Sequence, residues 1–189
     1  KATDLPEITQ VCSYKVTPGL SSLYKHTEFV FSQIKYLLES VKFKQGAALK
    51  VLEQKREKIP LYLMATAGLR LMDKQAQQDL MMQIKMRFSN DHIFDFKEAL
   101  VLSGRYEGLY SWLASNYLND RFNPKTPNDM VIEMGGASMQ ISQAGTTPKH
   151  AIKRTIQGRD YKISALSYLG LGQDQIMNVF DKNGLDKYL

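Results

Sequence analysis

Three short segments combine small residues with one hydroxyl, carboxyl or amide side chain, a composition typical of turns that bind phosphate. They are Met64–Leu71 (MATAGLRL), Ser103–Gly108 (SGRYEG) and Met134–Gln140 (MGGASMQ). Small residues let backbone N–H groups approach an anion closely, and the polar side chain can then be aimed at that anion. Because the chain has no GxxxxGK[ST] motif, the three turns indicate a phosphate-handling cleft that is not a P-loop.

The third segment predicts a hairpin with a phosphate-binding turn. Gly135, Gly136 and Ala137 form the turn, and their backbone N–H groups can hold a phosphate. Ser138 and Gln140 lie two positions apart on the following strand, so they share one face and can contact the same water. The alternative is a plain glycine hairpin without a ligand.

A carboxylate precedes that turn. Glu133 lies near the end of the strand before Gly135, and its negative charge repels a phosphate unless a cation lies between them. The sequence therefore predicts Mg²⁺ or Ca²⁺ at this position, held through water.

The first two segments supply further candidates for the same chemistry. Thr66 and the Ala67 amide follow a predicted buried strand at Leu61–Ala65, where they can orient a water or contact a terminal phosphate. Glu107 is predicted at a helix start, where the helix dipole favours a carboxylate that can act as general base. The alternatives are a strand-to-helix turn that needs Gly68 for its backbone, and a glutamate that only caps its helix.

The elements that position these turns are predicted to form a mixed α/β fold. Asp73 is predicted to cap a helix, and the polar, proline-punctuated segment 123–129 is the predicted domain boundary. A last helix is predicted to end at Phe180. Predicted strands cover Gln10–Val16, Leu61–Ala65, part of 93–102, Met130–Met134, Met139–Gln143, Ile152–Ile156 and Tyr161–Ala165.

Composition excludes several classes of protein. With 189 residues, 43% of them hydrophobic and 23% charged, the chain has the composition of a globular protein, and no apolar run is long enough to predict a membrane segment. The net charge is +6, but the basic run at 50–58 lacks interleaved aromatic residues, which favours a solvated helix over a nucleic-acid surface. Cys12 is the one cysteine, and the three histidines form no pair with metal-ligand spacing.

Together these segments resemble the signature segments of the apyrase family, the ecto-nucleoside triphosphate diphosphohydrolases. The resemblance implies the α/β fold of the actin-like ATPase superfamily, built from ribonuclease-H-like lobes. Residues 1–127 then correspond to the first lobe without its initial phosphate-loop hairpin, and residues 128–189 to the start of the second. The segments that carry the resemblance are Val16–Ser22, Ala65–Leu71, Ser103–Leu118, Gly135–Gln140 and Ser167–Gly172.

The resemblance also implies a role for each candidate residue. Glu107 corresponds to the family's general base. Glu133 corresponds to the carboxylate on the metal side, where the family usually has aspartate. The residues that would position the attacking water are Thr66, Ala67, Ser138 and Gln140, and those that would contact phosphate are Gly135, Gly136 and Ala137.

The activity implied is metal-dependent hydrolysis of the terminal phosphates of nucleoside tri- and diphosphates by direct attack of water, in a secreted, extracellular or lumenal enzyme. The family's first signature segment, an Asp-Gly-Ser type phosphate loop, and most of the second lobe lie outside these 189 residues. The expected partners are therefore the nucleotides and the remainder of the enzyme. Two alternatives stay open: a non-catalytic nucleotide- or partner-binding fragment, and another actin-like enzyme such as a kinase or polyphosphatase.

Overall fold

Helices and strands alternate in a mixed α/β order, as predicted. The computed structural model describes residues 5–55, 57–145 and 151–178. In chain order the elements are α1 Leu20–Leu23, α2 Thr27–Lys44, α3 Gly46–Gln54, β1 Ile59–Ala65, α4 Ala67–Arg70, α5 Lys74–Phe88, β2 Phe94–Val101, α6 Gly104–Leu118, β3 Val131–Met134, β4 Ser138–Ala144, β5 Ile152–Ile156 and β6 Arg159–Leu169.

The described residues form two compact units. The first unit comprises residues 8–101, and the second comprises residues 5–7 and 102–178. Segment 123–129 lies within the second unit. Helix α6, which precedes the segment in sequence, packs against β3, β4 and β6, which follow it. The predicted lobe boundary at residue 127 does not follow this grouping, and it stays a prediction about the larger enzyme.

The first unit is built around β1 and β2, which pair in parallel with Ala65 opposite Val101. A parallel pair needs a crossover connection, which α4 and α5 supply here. Asp73 accepts hydrogen bonds from the backbone N–H groups of Gln75 (2.9 Å) and Ala76 (3.1 Å), so the predicted cap of α5 is confirmed. The buried core comprises Val30, Ile34, Leu38, Ala65, Leu69, Leu80, Met81, Ile84, Phe94 and Phe96.

The second unit contains a four-stranded antiparallel sheet in the order β3-β4-β6-β5. Helix α6 packs on this sheet through an apolar face that includes Leu109 and Trp112, both fully buried. The ring of Trp112 lies 5.6 Å from that of Phe122 and 5.8 Å from that of Tyr161, measured between centroids. Trp112 is therefore a core residue of this unit.

Both predicted hairpins of this sheet are present. Strands β3 and β4 pair with Met134 opposite Met139. Strands β5 and β6 are joined at Gln157 and Gly158, whose φ angles of +49° and +75° are those of a tight hairpin turn.

Two predicted elements differ from the structure, and the end of a third is not tested. Residues 10–16 form no strand, because most of this segment is exposed and no described strand pairs with it. Strand β1 is not buried on both faces, since Tyr62 and Met64 point away from the core and are about half exposed. The predicted end of the last helix, Phe180, lies outside the described residues.

Candidate active site

The side chains of Glu107 and Gln140 meet between α6 and β4 in the second unit. The amide Nε2 of Gln140 donates to Glu107 Oε2 at 3.0 Å. The same nitrogen lies 2.5 Å from Ser138 Oγ and 3.2 Å from Ser167 Oγ. The structure thus brings three of the predicted site residues, Glu107, Ser138 and Gln140, into one hydrogen-bonded cluster.

The start of α6 positions Glu107. The hydroxyl of Ser103 accepts a hydrogen bond from the Tyr106 N–H at 3.4 Å, so the helix begins at Gly104 and Glu107 falls in its first turn. The prediction that Glu107 lies at a helix start is confirmed, and the capping side chain is Ser103. A carboxylate in the first turn is favoured by the partial positive charge of the helix N-terminus.

A glycine allows α6 to approach the sheet at this point. A Cβ atom on Gly108 would lie 3.3 Å from the Cβ of Ala165 and 3.4 Å from the Cβ of Gln140. Both distances are tighter than most contacts between such atoms. Gly108 therefore permits the close packing that brings the neighbouring Glu107 within hydrogen-bonding distance of Gln140.

The buried face of β4 is polar at three alternate positions. Ser138, Gln140 and Ser142 are each 1% exposed. A buried polar atom is normally hydrogen-bonded, yet Gln140 Oε1 is buried and has no partner among the described residues. Gln140 Oε1 is therefore an unsatisfied buried acceptor within the described part of the chain.

Glu133 lies beside this cluster. In the β3–β4 pair it stands directly opposite Gln140, so both side chains lie on the same face of the sheet. The hydroxyl of Ser111 donates to Glu133 Oε2 at 2.5 Å. Ser111 follows Glu107 by four positions on α6, so both side chains lie on the same face of the helix. Helix α6 therefore carries Glu107 and also contacts Glu133.

The sequence predictions did not include Ser111 and Ser167 among the site residues. The four-residue spacing between Glu107 and Ser111 is the only sequence signal that places Ser111 on the same helix face. Ser167 stands opposite Gln140 in the β4–β6 pair. That register follows from strand pairing and cannot be read from local sequence.

Residues 170–174 hold the predicted phosphate-binding turn in place through backbone hydrogen bonds. The carbonyls of Gly135, Gly136 and Ala137 accept hydrogen bonds from the backbone N–H groups of residues 173, 174 and 170, at 2.9, 2.9 and 2.8 Å respectively. Gly172 lies against the peptide between Gly136 and Ala137, where a Cβ atom would be only 2.4 Å from backbone atoms. The segment Ser167–Gly172, which carries part of the family resemblance, therefore includes residues that hold this turn in place.

The hydrogen bonds from residues 170–174 set the direction of the N–H groups of the turn. In a planar trans peptide the C=O and N–H groups point in opposite directions. Because the Gly135 and Gly136 carbonyls face residues 173 and 174, the N–H groups of Gly136 and Ala137 face the other way. Neither has a backbone acceptor among the described residues, whereas the Gly135 N–H donates to the Ser138 carbonyl at 3.0 Å.

Thr66 and Ala67 belong to the first unit, directly after β1. Thr66 is exposed and adopts the N-cap position before α4, and Ala67 is 4% exposed. Gly68 approaches α1 so closely that a Cβ atom would lie 2.7 Å from Ser21 Oγ. A strand-to-helix turn is present here, Gly68 has no positive φ angle, and the roles of Thr66 and Ala67 toward water and phosphate stay predictions.

Glu133 is the carboxylate predicted to hold a cation, and that role stays a prediction. No described group of three or more histidine, cysteine or acidic residues is arranged to ligate a metal directly. A single half-buried carboxylate is compatible with a cation bound mainly by waters and substrate oxygens.

Membrane insertion of a described helix is not indicated. Within residues 5–55, 57–145 and 151–178, every helix is too short or too polar to cross a lipid bilayer.

Comparison with solved structures identifies the fold. The chain resembles the crystal structure of nucleoside triphosphate hydrolases from Neospora caninum with a TM-score of 0.57 and 22% sequence identity. The match covers 86% of this chain and 34% of that one. The chain thus has the α/β fold of the actin-like ATPase superfamily, which confirms the predicted fold class.

Sequence comparison then identifies the family. The profile of the GDA1/CD39 (nucleoside phosphatase) family matches residues 2–186, so the chain belongs to this family. The predicted relationship to nucleoside triphosphate diphosphohydrolases and apyrases is confirmed.

Curated relatives come from animals and plants. Ectonucleoside triphosphate diphosphohydrolase 1 of Rattus norvegicus is 27% identical over 93% of this chain, and ectonucleoside triphosphate diphosphohydrolase 2 of Gallus gallus is 31% identical over 85%. Probable apyrase 4 of Arabidopsis thaliana is 31% identical over 86% of the chain. The matches cover 37%, 34% and 32% of these relatives, so the chain spans about a third of their length.

Proposed function

We propose that the intact protein hydrolyses the terminal phosphates of nucleoside tri- and diphosphates by direct attack of water, in a reaction that depends on Mg²⁺ or Ca²⁺. The observation that carries this proposal is the cluster of Glu107, Ser138 and Gln140, with its buried and unpartnered Gln140 Oε1. The Glu107 carboxylate can act as general base, and the Ser138 hydroxyl and Gln140 amide beside it provide the polar groups that a hydrolytic water needs.

In the proposed reaction, Gln140 and Ser138 hold the attacking water beside the Glu107 carboxylate. The water oxygen forms a bond to the terminal phosphorus while the bond from that phosphorus to the leaving nucleotide oxygen breaks. The proton lost by the water passes to the carboxylate of Glu107. A positioned base of this kind typically accelerates such a step by about 10²–10⁴-fold.

The phosphate is bound by the turn between β3 and β4. The N–H groups of Gly136 and Ala137 face away from residues 170–174 and are available to phosphate oxygens. The N–H of Gly135 donates to the Ser138 carbonyl, so the contact proposed between Gly135 and phosphate does not use that N–H. The roles of Thr66 and Ala67 toward the terminal phosphate and the water are proposed from the family relationship alone.

Glu133 is proposed to hold the divalent cation through water. When bound, such a cation neutralises charge on the phosphate oxygens and so favours attack by an electron-rich water. The expected role of Glu133 is to keep the cation beside the turn, while its own carboxylate stays away from the phosphate.

The substrate and location follow from the relatives, whose names include ectonucleoside triphosphate diphosphohydrolase. We infer nucleoside tri- and diphosphates as substrates, and a secreted, extracellular or lumenal location for the intact protein. The net charge of +6 favours the approach of a polyanionic nucleotide.

The test replaces Glu107 by Gln in the intact protein, which keeps the shape of the side chain but removes the base. Phosphate release from ATP should fall by about 10²–10⁴-fold, while the affinity for a non-hydrolysable ATP analogue stays within about twofold. Glu98→Gln on the exposed side of β2 is the matched control and should leave both values unchanged. Near-normal turnover in Glu107→Gln would contradict the assignment, and a wild-type protein that binds nucleotide without releasing phosphate would favour a binding module.

A further inference from the structure

We propose that Ser111 is a positioning residue that orients the Glu133 carboxylate toward the divalent cation. This inference rests on the proposed function, because it assigns a residue that supports the metal side of the same site. The residue lies in none of the three turns that the sequence singles out for phosphate chemistry.

The contact between the two side chains is direct. Ser111 Oγ donates to Glu133 Oε2 at 2.5 Å, which is within the range for a hydroxyl donating to a carboxylate. Both residues are half-buried. No described lysine or arginine forms an ion pair with Glu133, so the hydroxyl is its one recorded polar partner in the described part of the chain.

The helix and the sheet make this contact specific. Glu107 and Ser111 are one turn apart on α6, while Glu133 and Gln140 are opposite each other on β3 and β4. One helix face therefore makes two hydrogen bonds to two adjacent strands, Glu107 to Gln140 and Ser111 to Glu133. The docking of α6 fixes both carboxylates at the same time.

The hydrogen bond also makes the two carboxylate oxygens of Glu133 different in their availability. With Oε2 occupied by the Ser111 hydroxyl, Oε1 is the oxygen that remains for a cation-bound water. A glutamate has one more rotatable bond than the aspartate usual in the family, so its carboxylate has more orientations to lose. Ser111 removes that freedom, as a hydrogen-bond partner behind a metal ligand commonly does.

The test compares Mn²⁺ binding in the intact wild-type protein and in Ser111→Ala, with a non-hydrolysable ATP analogue present. Bound Mn²⁺ is measured from the loss of the free-ion electron paramagnetic resonance signal, which does not depend on turnover. We expect the Mn²⁺ Kd to rise by about 10- to 100-fold in Ser111→Ala. Ser111→Thr retains a hydroxyl and should restore the Kd to within about threefold of the wild-type value.

Two controls separate positioning from general stability. Ser115→Ala makes the same change one turn further along α6, where the hydroxyl lies near Asn119, and should leave the Kd unchanged. Glu133→Asp shortens the carboxylate so that it no longer reaches Ser111. In that background, Ser111→Ala should change the Mn²⁺ Kd by less than about twofold.

An unchanged Kd in Ser111→Ala, or an equal loss with and without Glu133→Asp, would overturn the inference while leaving the proposed function intact. A wild-type protein that binds the nucleotide analogue but no Mn²⁺ would overturn both. Thermal unfolding of each variant identifies any loss that comes from misfolding, and Ser111→Thr then decides the question.

Discussion

Ser138 and Gln140 occupy positions where a sheet that packs under a helix normally has apolar side chains. Each is 1% exposed, and burying a polar group without a full set of hydrogen bonds is unfavourable by about 1–3 kcal/mol. Gln140 Oε1 is buried without a hydrogen-bond partner among the described residues, so the polar face of β4 is unfavourable for local stability. We propose that Ser138 and Gln140 are retained there for their role in the site.

A matched pair of substitutions on β4 tests that view. Ser138→Ala in the intact protein should lower kcat for ATP by about 10²-fold, the usual effect of removing one hydrogen-bonding group from a preorganised site. Ser142→Ala is the control, because Ser142 has the same burial on the same face and its hydroxyl has no described hydrogen-bond partner. Steady-state phosphate release measures both. An equal fall in the two variants would mean that Ser138 acts only in packing.

At this scale the sequence predicted part of the cluster. The two-residue spacing of Ser138 and Gln140 correctly places them on one face, and Glu107 lies at a helix start as predicted. The four-residue spacing places Ser111 on the same helix face as Glu107, but its contact with Glu133 depends on how α6 docks. The position of Ser167 depends on the β4–β6 register, which leaves no local pattern.

Among the elements, the hairpins were predictable and the first strand was not. Glycine and turn residues mark the β3–β4 and β5–β6 hairpins clearly, and both form. Residues 10–16 alternate like a strand, but a strand also needs a neighbour to pair with, and none of the described strands provides one. Strand β1 was predicted to be buried on both faces, yet its alternate residues Tyr62 and Met64 are exposed.

The segment at 170–174 acts as an element in its own right, since it fixes the phosphate-binding turn through backbone hydrogen bonds alone. Local sequence shows its glycines but not their target. Gly172 needs to be glycine because the backbone of Gly136 and Ala137 occupies the space of a Cβ atom. The position of the turn therefore depends on a residue more than thirty positions away in the chain.

Gly172→Ala should displace the turn, because the clash is with backbone atoms that cannot move aside cheaply. We expect the intact protein to lose about 1–3 kcal/mol of stability, the usual effect of overpacking, and its nucleotide affinity to fall by about tenfold or more. Gly46→Ala is the control, since nothing lies within 4 Å of a Cβ atom there. Thermal unfolding and titration with a non-hydrolysable ATP analogue measure both effects. Wild-type affinity in Gly172→Ala would show that the turn does not bind phosphate.

At the scale of the whole molecule, the chain spans about a third of the length of its curated relatives. Its two compact units divide between residues 7 and 8 and between residues 101 and 102. The boundary predicted at residue 127 concerns the lobes of the intact protein, and it stays a prediction. Proline and polar residues in segment 123–129 also occur in ordinary surface loops, so composition alone does not decide between the two.

The most direct test is phosphate release by the intact protein from ATP, ADP and AMP, with Mg²⁺ or Ca²⁺ and then with excess EDTA. The proposed function predicts that phosphate is released from ATP and ADP in the presence of Mg²⁺, Ca²⁺ or both, and that release stops after chelation. No phosphate should be released from AMP. Phosphate release that persists in EDTA, or release from AMP, would contradict metal-dependent hydrolysis of terminal phosphates.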